Sequence, residues 1–245
     1  MGEPARVFGW NMFFLRMLGG LIILSASVVT DCRAQSDNCD TPLIAAIHTR
    51  DLVGAKKLVD SGIDVNAKNC YGTTPLIEAI ALDQQEIAEK LILGEASMKV
   101  GDGRNTLPLM IASWYCRQEI VPLLLAQGAD VNAVDTDGYS ALMHSAQNCE
   151  EGRIPALLLR YGAKVNVVAE NGHTALYIAS FYGNQHVVHI LVAAGADPTA
   201  QTKSGETPLA IARDRDVGRK PSHDRICQFL LEITRLDQKL KASPR

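Results

Sequence analysis

The sequence predicts an all-α solenoid of about six stacked helix-turn-helix units with β-turn fingers. Two observations lead to this fold class. A leucine recurs every 33 or 34 residues, at Leu43, Leu76, Leu109, Leu142, Leu176 and Leu209. A small residue stands three positions after each leucine, and a glycine ends a second apolar stretch in most units. A period of this length is typical of arrays in which each unit buries its apolar face against the next one.

The first helix of a unit is predicted to begin at a hydroxyl residue. Thr-Pro-Leu stands at 74–76 and 207–209, and Ser or Thr followed by Ala starts two other units. The hydroxyl oxygen can accept a hydrogen bond from a free amide at the helix start. Proline suits the next position because its φ is helical and it has no amide to leave unpaired. The third unit has Leu107 in place of the hydroxyl residue, so we expect no such cap there.

The second helix of a unit is predicted from apolar residues with helical period. Examples are EIVPLLLAQG at 119–128 and HVVHILVAAG at 186–195. Gly128 and Gly195 follow these stretches, where a left-handed residue commonly ends a helix. Polar segments such as DTDG at 135–138 then predict the turn, or finger, that leads to the next unit.

These patterns closely resemble the ankyrin repeat family. The residues that carry the resemblance are TPL at 74–76 and 207–209, GADVNA at 128–133, and the segment 172–198. The resemblance covers residues 39–231 and implies six repeats, at 39–68, 69–100, 101–134, 135–168, 169–200 and 201–231. Three repeats depart from the pattern. The second ends in GEASMK, the fourth gains a residue near Glu150–Gly152, and the sixth has an insertion around Asp216–Pro221.

Residues 1–34 are predicted to be a signal peptide. Residues 17–30 carry no charge and follow Arg6 and Arg16. The apolar stretch is shorter than the roughly 20 residues that a spanning helix needs, and it has the form of a secretory signal. We expect cleavage before Gln35, with an uncleaved membrane anchor as the alternative. Residues 35–38 would then be a short linker, and residues 232–245 a polar, basic C-terminal tail.

The composition indicates a globular protein and argues against several functions. Hydrophobic residues make up 47%, charged residues 21%, and the formal net charge is −3. Without strong basicity, binding to nucleic acid is not expected. No phosphate-binding loop, HExxH or GxSxG motif is present, so we expect no enzyme activity, no cofactor and no small-molecule substrate. His186 and His189 share a helix face, but no third ligand is visible, so no metal site is predicted.

The resemblance implies that a partner is recognised by finger residues and by two residues late in the first helix. The late pairs are Trp114–Tyr115, Gln147–Asn148 and Phe181–Tyr182, and the finger residues are Tyr71, Arg104, Tyr139 and His173. Aromatic and arginine side chains contribute most to many protein interfaces. We therefore expect a concave, aromatic-rich surface that binds another protein. For Phe181 and Tyr182, packing against the neighbouring unit is the alternative.

Four cysteines are candidates for disulfide bonds. Cys116 and Cys149 occupy the same repeat position, which is usually glycine in the family, and Cys39 and Cys70 lie in turns of the first two repeats. Geometry argues against the first bridge. Stacked equivalents should lie roughly 8–10 Å apart, whereas a disulfide needs Cα atoms about 4.4–6.8 Å apart. The extra residue of the fourth repeat would let its turn lean and bring the two cysteines closer. Free thiols are the alternative.

Together these features favour an exported, periplasmic bacterial ankyrin-type protein, or a secreted one. The expected function is that of a non-catalytic protein-protein interaction module whose partner is another protein. One alternative is an accessory or inhibitor protein that docks on an exported enzyme or redox target. Another is a structural scaffold anchored in the inner membrane and facing the periplasm, which requires that the N-terminal segment is not cleaved.

Overall fold

The computed structural model describes residues 39–94, 96–214 and 221–242. The chain divides into two units, Met1–Cys39 and Asp40–Arg245, and the description below concerns the second. The predicted signal peptide, the linker at 35–38 and most of the predicted insertion at 216–221 lie outside the described residues.

Twelve helices alternate along the described part of this unit. Helices α1 and α2 are Pro42–His48 and Leu52–Asp60; α3 and α4 are Pro75–Ala81 and Gln85–Leu93; α5 and α6 are Pro108–Trp114 and Ile120–Ala126; α7 and α8 are Ala141–Asn148 and Arg153–Arg160; α9 and α10 are Ala175–Tyr182 and Gln185–Ala193; α11 and α12 are Pro208–Arg213 and Pro221–Ala242. The first member of each pair is called an inner helix and the second an outer helix. Each inner helix packs against its own outer helix and against the inner helix of the next pair. This arrangement confirms the predicted all-α solenoid.

The last helix is longer than the sequence suggests. It runs from Pro221 to Ala242, so the segment expected to be a polar tail from residue 232 is helical through Ala242. Ile226 and Leu230 are fully buried on its first turns and hold it against the repeats. None of the described helices combines the length and the apolar character that crossing a membrane would require.

The predicted caps form at five inner helices. In each, a hydroxyl oxygen accepts a hydrogen bond from the amide three residues later, at Thr41, Thr74, Ser140, Thr174 and Thr207. Helix α5 begins at Leu107 without a side-chain cap, as the missing hydroxyl implies. Local sequence therefore determines where each inner helix starts.

The fingers are tight turns that stack on one another. In the fourth repeat, the amide of Asp135 donates to the carbonyl of Tyr139 at 3.0 Å, which closes the turn. Neighbouring fingers are joined by backbone bonds of 2.9–3.1 Å, from Thr136 to Arg104, Glu170 to Asp137 and Lys203 to Asn171. Within the described ranges the only extended pairing is a single bridge between Val134 and Ser140. The fingers of the third to sixth repeats thus form a bonded row.

The core follows the repeating leucines. Five of the six are at most 3% exposed, and Leu209 in the last repeat is half-buried. Asparagines in the VNA-type segments join one repeat to the next. Asn132 accepts from the amide of Lys164 at 2.8 Å and donates to the carbonyl of Gly162 at 3.1 Å. Asn166 makes the same pair of contacts one repeat later, with Asp197 and Gly195.

Candidate functional site

Six of the predicted binding residues lie at the C-terminal ends of three adjacent inner helices. We call these residues the aromatic face: Trp114, Tyr115, Gln147, Asn148, Phe181 and Tyr182. They come together because α5 packs against α7 and α7 against α9. Asn148 is exposed and the other five are half-buried, so each keeps some surface that a partner can contact.

Two hydrogen bonds join the three late pairs into one surface. The Gln147 amide donates to the hydroxyl of Tyr182 at 2.7 Å. The Asn148 amide donates to the carbonyl of Trp114 at 3.0 Å. Burial raises the pKa of Tyr182 to about 12, so its phenol keeps its proton at neutral pH. Because Tyr182 already accepts a bond from Gln147, its hydroxyl proton can be donated to an acceptor on a partner.

The rings of the aromatic face are held by different neighbours. The rings of Phe181 and Tyr182 meet edge to face with centroids 4.9 Å apart. The guanidinium of Arg117 lies 5.2 Å from the ring centroid of Tyr115, within cation–π range. Arg117 is in turn fixed by an ion pair with Asp83. These contacts hold the rings in defined orientations, which lowers the entropy lost when a partner binds.

Trp114 is tied to the finger of the next repeat through a buried histidine. The ring of His144 lies 5.7 Å from that of Trp114, and its Nε2 is 3.2 Å from a carboxylate oxygen of Asp135. Burial acts to raise the pKa of Asp135, but hydrogen bonds from His144 and from backbone amides outweigh it and lower the pKa. This role of His144 was not expected from the sequence. The available signal was its position, one helical turn after the capping residue Ser140.

The four predicted finger residues occupy two different environments. Tyr71 and Arg104 stand at the equivalent tip position of their fingers. Tyr71 is 72% exposed, and it is the most exposed large hydrophobic side chain of the described residues. Arg104 is half-buried and forms an ion pair with Asp137 of the next finger. Of the two tips, Tyr71 therefore offers the larger surface for binding.

Tyr139 was expected to be a finger residue that contacts a partner, but it is largely buried. It lies two positions nearer the helix than the tip and is only 9% exposed. Its hydroxyl accepts from the Asn171 amide at 2.7 Å and lies 3.0 Å from Nδ1 of His173. His173 is half-buried and stacks on Tyr177 with centroids 4.6 Å apart. Burial lowers the pKa of His173 to about 4, so it is neutral at physiological pH.

Two exposed valines beside the fingers were missed by the sequence analysis. Val134 is 40% exposed and Val168 is 60% exposed, at equivalent positions of adjacent repeats. The available signal was their spacing of 34 residues, the same as that from Leu142 to Leu176. Isolated exposed valines are ordinary on protein surfaces, and these two each stand immediately before a finger of adjacent repeats.

The two histidines considered for metal binding, His186 and His189, have different surroundings in the structure. His189 packs on Phe229 of α12 with ring centroids 4.2 Å apart, and its Nδ1 lies 2.7 Å from the carbonyl of Gln185. His186 is exposed on the same helix. In the part of the chain that the structure describes, no three His, Cys, Asp or Glu side chains are grouped so as to hold a metal ion.

Cys116 and Cys149 form a disulfide bond in the structure, with Cα atoms 5.5 Å apart. The distance is shorter than the spacing expected for stacked equivalents because the two turns differ. Cys116 has a φ of +53°, whereas Cys149 has a φ of −93°. The fourth repeat reaches its left-handed residue only at Gly152, so its turn is longer. Cys39 and Cys70 are also disulfide-bonded, and their pairing with each other stays a prediction.

Comparisons with known proteins agree with this architecture. A family model described as ankyrin repeats (3 copies) matches residues 17–102, 91–167, 109–202 and 142–241. The B-cell lymphoma 3 protein homolog of Mus musculus is 36% identical over 80 residues, which are 33% of this chain and 18% of that protein. The chain therefore matches less than a fifth of the length of that relative. Since the family model matches most of the sequence, the chain belongs to the ankyrin repeat family.

Proposed function

We propose that this chain is a non-catalytic protein-protein interaction module that binds another protein on the aromatic face. The observation that carries the proposal is the gathering of four half-exposed rings, with Gln147 and Asn148, at the ends of three consecutive inner helices. Such rings bury a large area with few rotatable bonds, which favours binding. Ankyrin repeats generally serve as interaction modules, which supports the same conclusion.

We also propose that the module works in an exported compartment, periplasmic or secreted. The disulfide between Cys116 and Cys149 supports this location, because such bonds persist in oxidising environments and are rare in the cytosol. The charge-free segment 17–30 behind Arg16 supports it as well. A mature N-terminus at Gln35 in protein isolated from its native source would support export with cleavage, and an intact N-terminus in the membrane fraction would favour the tethered scaffold.

The binding proposal is tested by crosslinking and purification from the native compartment, followed by identification of the partner. We expect the Trp114→Ala, Phe181→Ala double variant to lose at least tenfold in captured partner. Tyr161→Ala is the matched control, because Tyr161 is 48% exposed at the end of an outer helix, away from the aromatic face. Circular dichroism at the assay temperature should be the same for all three proteins.

Capture by the double variant at the level of the wild type would place the binding site elsewhere. Loss of capture in Tyr161→Ala as well would indicate a general effect on the array. If the partner is an exported enzyme whose activity changes on binding, the accessory or inhibitor function is the specific form of this proposal.

A further inference from the structure

Most junctions between repeats share one stabilising contact. A side chain from the turn before an outer helix donates to the last carbonyls of the preceding inner helix. Gln84 reaches Ile47; Arg117 reaches Ile80 and Ala81 at 3.0 and 2.9 Å; Asn184 reaches Ala146 and Gln147, both at 2.8 Å. A carbonyl at the end of a helix lacks the amide four residues later that would bond it within the helix, and these side chains supply a donor there. The carbonyls of Ile47 and Ile80 also accept from the turn amides of Arg50 and Asp83.

The junction between the third and fourth repeats is built differently. The residue in register with Gln84, Arg117 and Asn184 is Glu150, and a carboxylate cannot donate a hydrogen bond to a carbonyl. Asn148 instead donates to the carbonyl of Trp114. The sulfur of Cys149 lies 3.2 Å from the carbonyl oxygen of Ser113, and this sulfur is bonded to Cys116. The disulfide bond thus holds this junction, whereas at the other junctions a side chain of the turn donates a hydrogen bond.

The backbone conformation at this junction also differs from that of the other repeats. The residue seven positions after the key leucine has a positive φ at Arg50, Asp83, Cys116 and Gly183. Cys149 is the exception, and its turn is one residue longer. The fourth repeat therefore leaves the common geometry, and the disulfide holds its turn against the third repeat.

The disulfide is accessible from one side. It lines an open cavity of about 320 Å³, together with Gln118, Glu150, Gly152 and Arg153. Cys149 is 6% exposed, whereas Cys116 is half-buried and is the more accessible of the two. An attacking thiolate can thus approach Cys116 through the cavity.

We propose that Cys116–Cys149 is a thiol–disulfide exchange site for a dithiol reductant, and that its reduction loosens the junction that carries the aromatic face. The first thiolate of the reductant bonds to the sulfur of Cys116, and Cys149 leaves as a thiolate that takes a proton from water. The second thiolate of the reductant then attacks the reductant's own sulfur in the mixed disulfide, and Cys116 leaves as a thiolate that also takes a proton from water. The reductant loses two electrons and becomes a disulfide, while the protein gains two thiols.

Reduction acts on the aromatic face because the two cysteines are adjacent in sequence to residues of that face. Trp114 and Tyr115 directly precede Cys116, and Gln147 and Asn148 directly precede Cys149. Loosening this junction therefore separates the first two of the three pairs that form the face. The effect on partner capture rests on the proposed function, whereas the exchange chemistry and the loosening do not.

The test is hydrogen–deuterium exchange of the full chain without any partner, with dithiothreitol as the reductant. We expect reduction to accelerate exchange at least tenfold in peptides covering 112–120 and 146–153, and to leave peptides in α10 unchanged. Under the same native conditions, alkylation with N-ethylmaleimide should label both Cys116 and Cys149. A bond that resists dithiothreitol until the protein unfolds would overturn the proposal, as would unchanged exchange after reduction.

Two variants distinguish the loss of the Cys116–Cys149 disulfide from other effects of the reductant. Cys116→Gly removes the disulfide but suits the positive φ at this position, so the fold should be kept. We expect its exchange without reductant to equal that of the reduced wild type. Cys70→Ser removes a disulfide-bonded cysteine outside this junction, and we expect slow exchange at 112–120 and 146–153 until dithiothreitol is added. Slow exchange in Cys116→Gly would show that the junction does not need the bond.

Discussion

Ser113 carries a buried hydroxyl that makes no hydrogen bond among the described residues. The equivalent residue two repeats later, Ser180, is also fully buried, but its hydroxyl donates to the carbonyl of Leu176 at 2.8 Å. A buried polar group without a partner loses its contacts with water and gains none in return. The same residue type at the same repeat position is thus expected to have opposite effects on stability.

Replacing Ser113 by Ala should therefore stabilise the protein. We expect the free energy of unfolding in urea to rise by about 1 kcal/mol for Ser113→Ala, because an unsatisfied hydroxyl is removed. Ser180→Ala should lower it by about 1 kcal/mol, because a hydrogen bond is lost. Equal destabilisation by both changes would mean that the hydroxyl of Ser113 has a partner.

Residue-scale prediction from the sequence succeeded where the cause was local. The caps at Thr74 and Thr207 follow from the residue itself and its nearest neighbours. The burial of Tyr139 did not follow in this way, because it depends on Asn171 and His173 of the next repeat. The repeat period gives the position of a residue in its unit, but not which side chains of the adjacent unit will meet it.

The fingers, at the scale of structural elements, depend on glycine for two separate reasons. Gly172 has a φ of +85°, and a Cβ there would lie 2.5 Å from the amide nitrogen of Lys203 in the next finger. Gly205 occupies the same position in the last finger with a φ of +82°, and none of the described atoms lies within 4 Å of its added Cβ. The two glycines share their backbone conformation and differ only in whether a finger follows.

Alanine substitutions at these two glycines should separate the cost of conformation from that of stacking. Gly205→Ala should lower the free energy of unfolding by about 1 kcal/mol, the cost of a left-handed non-glycine residue. Gly172→Ala should lower it by about 3 kcal/mol, because the backbone of the next finger must also move. Thermal and urea unfolding measure both. Similar losses for the two variants would mean that stacking of the fingers contributes little.

Turn geometry shows why the disulfide was difficult to predict at this scale. The expected spacing of equivalent positions argued against a bond between Cys116 and Cys149, yet their Cα atoms are 5.5 Å apart. The extra residue near Gly152 was visible in the sequence, but its effect on the turn depends on backbone angles that the repeat pattern does not specify. Insertions within repeats are therefore places where the spacing of the ideal array no longer holds.

The stability of the whole molecule is expected to vary with pH at its N-terminal end. In a stacked array each repeat is stabilised by its neighbours alone, so the first repeat, with one repeat neighbour, is easily opened. His48 joins the first two repeats there. Its Nδ1 lies 2.8 Å from a carboxylate oxygen of Asp40, and its Nε2 lies 3.2 Å from one of Glu78.

The pKa shifts of this pair define the pH window. The hydrogen bond to Glu78 raises the pKa of His48 above 6.5, against the opposing effect of burial. Burial acts to raise the pKa of Glu78, but hydrogen bonds from His48 and Thr73 outweigh it and lower the pKa below 4.5. The contribution of His48 is complete below pH 6.5 and is lost as pH rises through its raised pKa. That of Glu78 is complete above pH 4.5 and is lost as pH falls through its lowered pKa.

The first repeat should therefore be most stable between pH 4.5 and 6.5 and should open more readily towards pH 8. Hydrogen–deuterium exchange of α1, corrected for the intrinsic effect of pH, measures this opening. His48→Gln should abolish the increase between pH 6 and 8, because no group at this junction then changes charge in that interval. His173→Gln is the control, since the pKa of His173 is about 4 and it is neutral throughout. If His48→Gln opened with the same pH dependence as the wild type, the ion pairs of His48 would not control the stability of this end of the array.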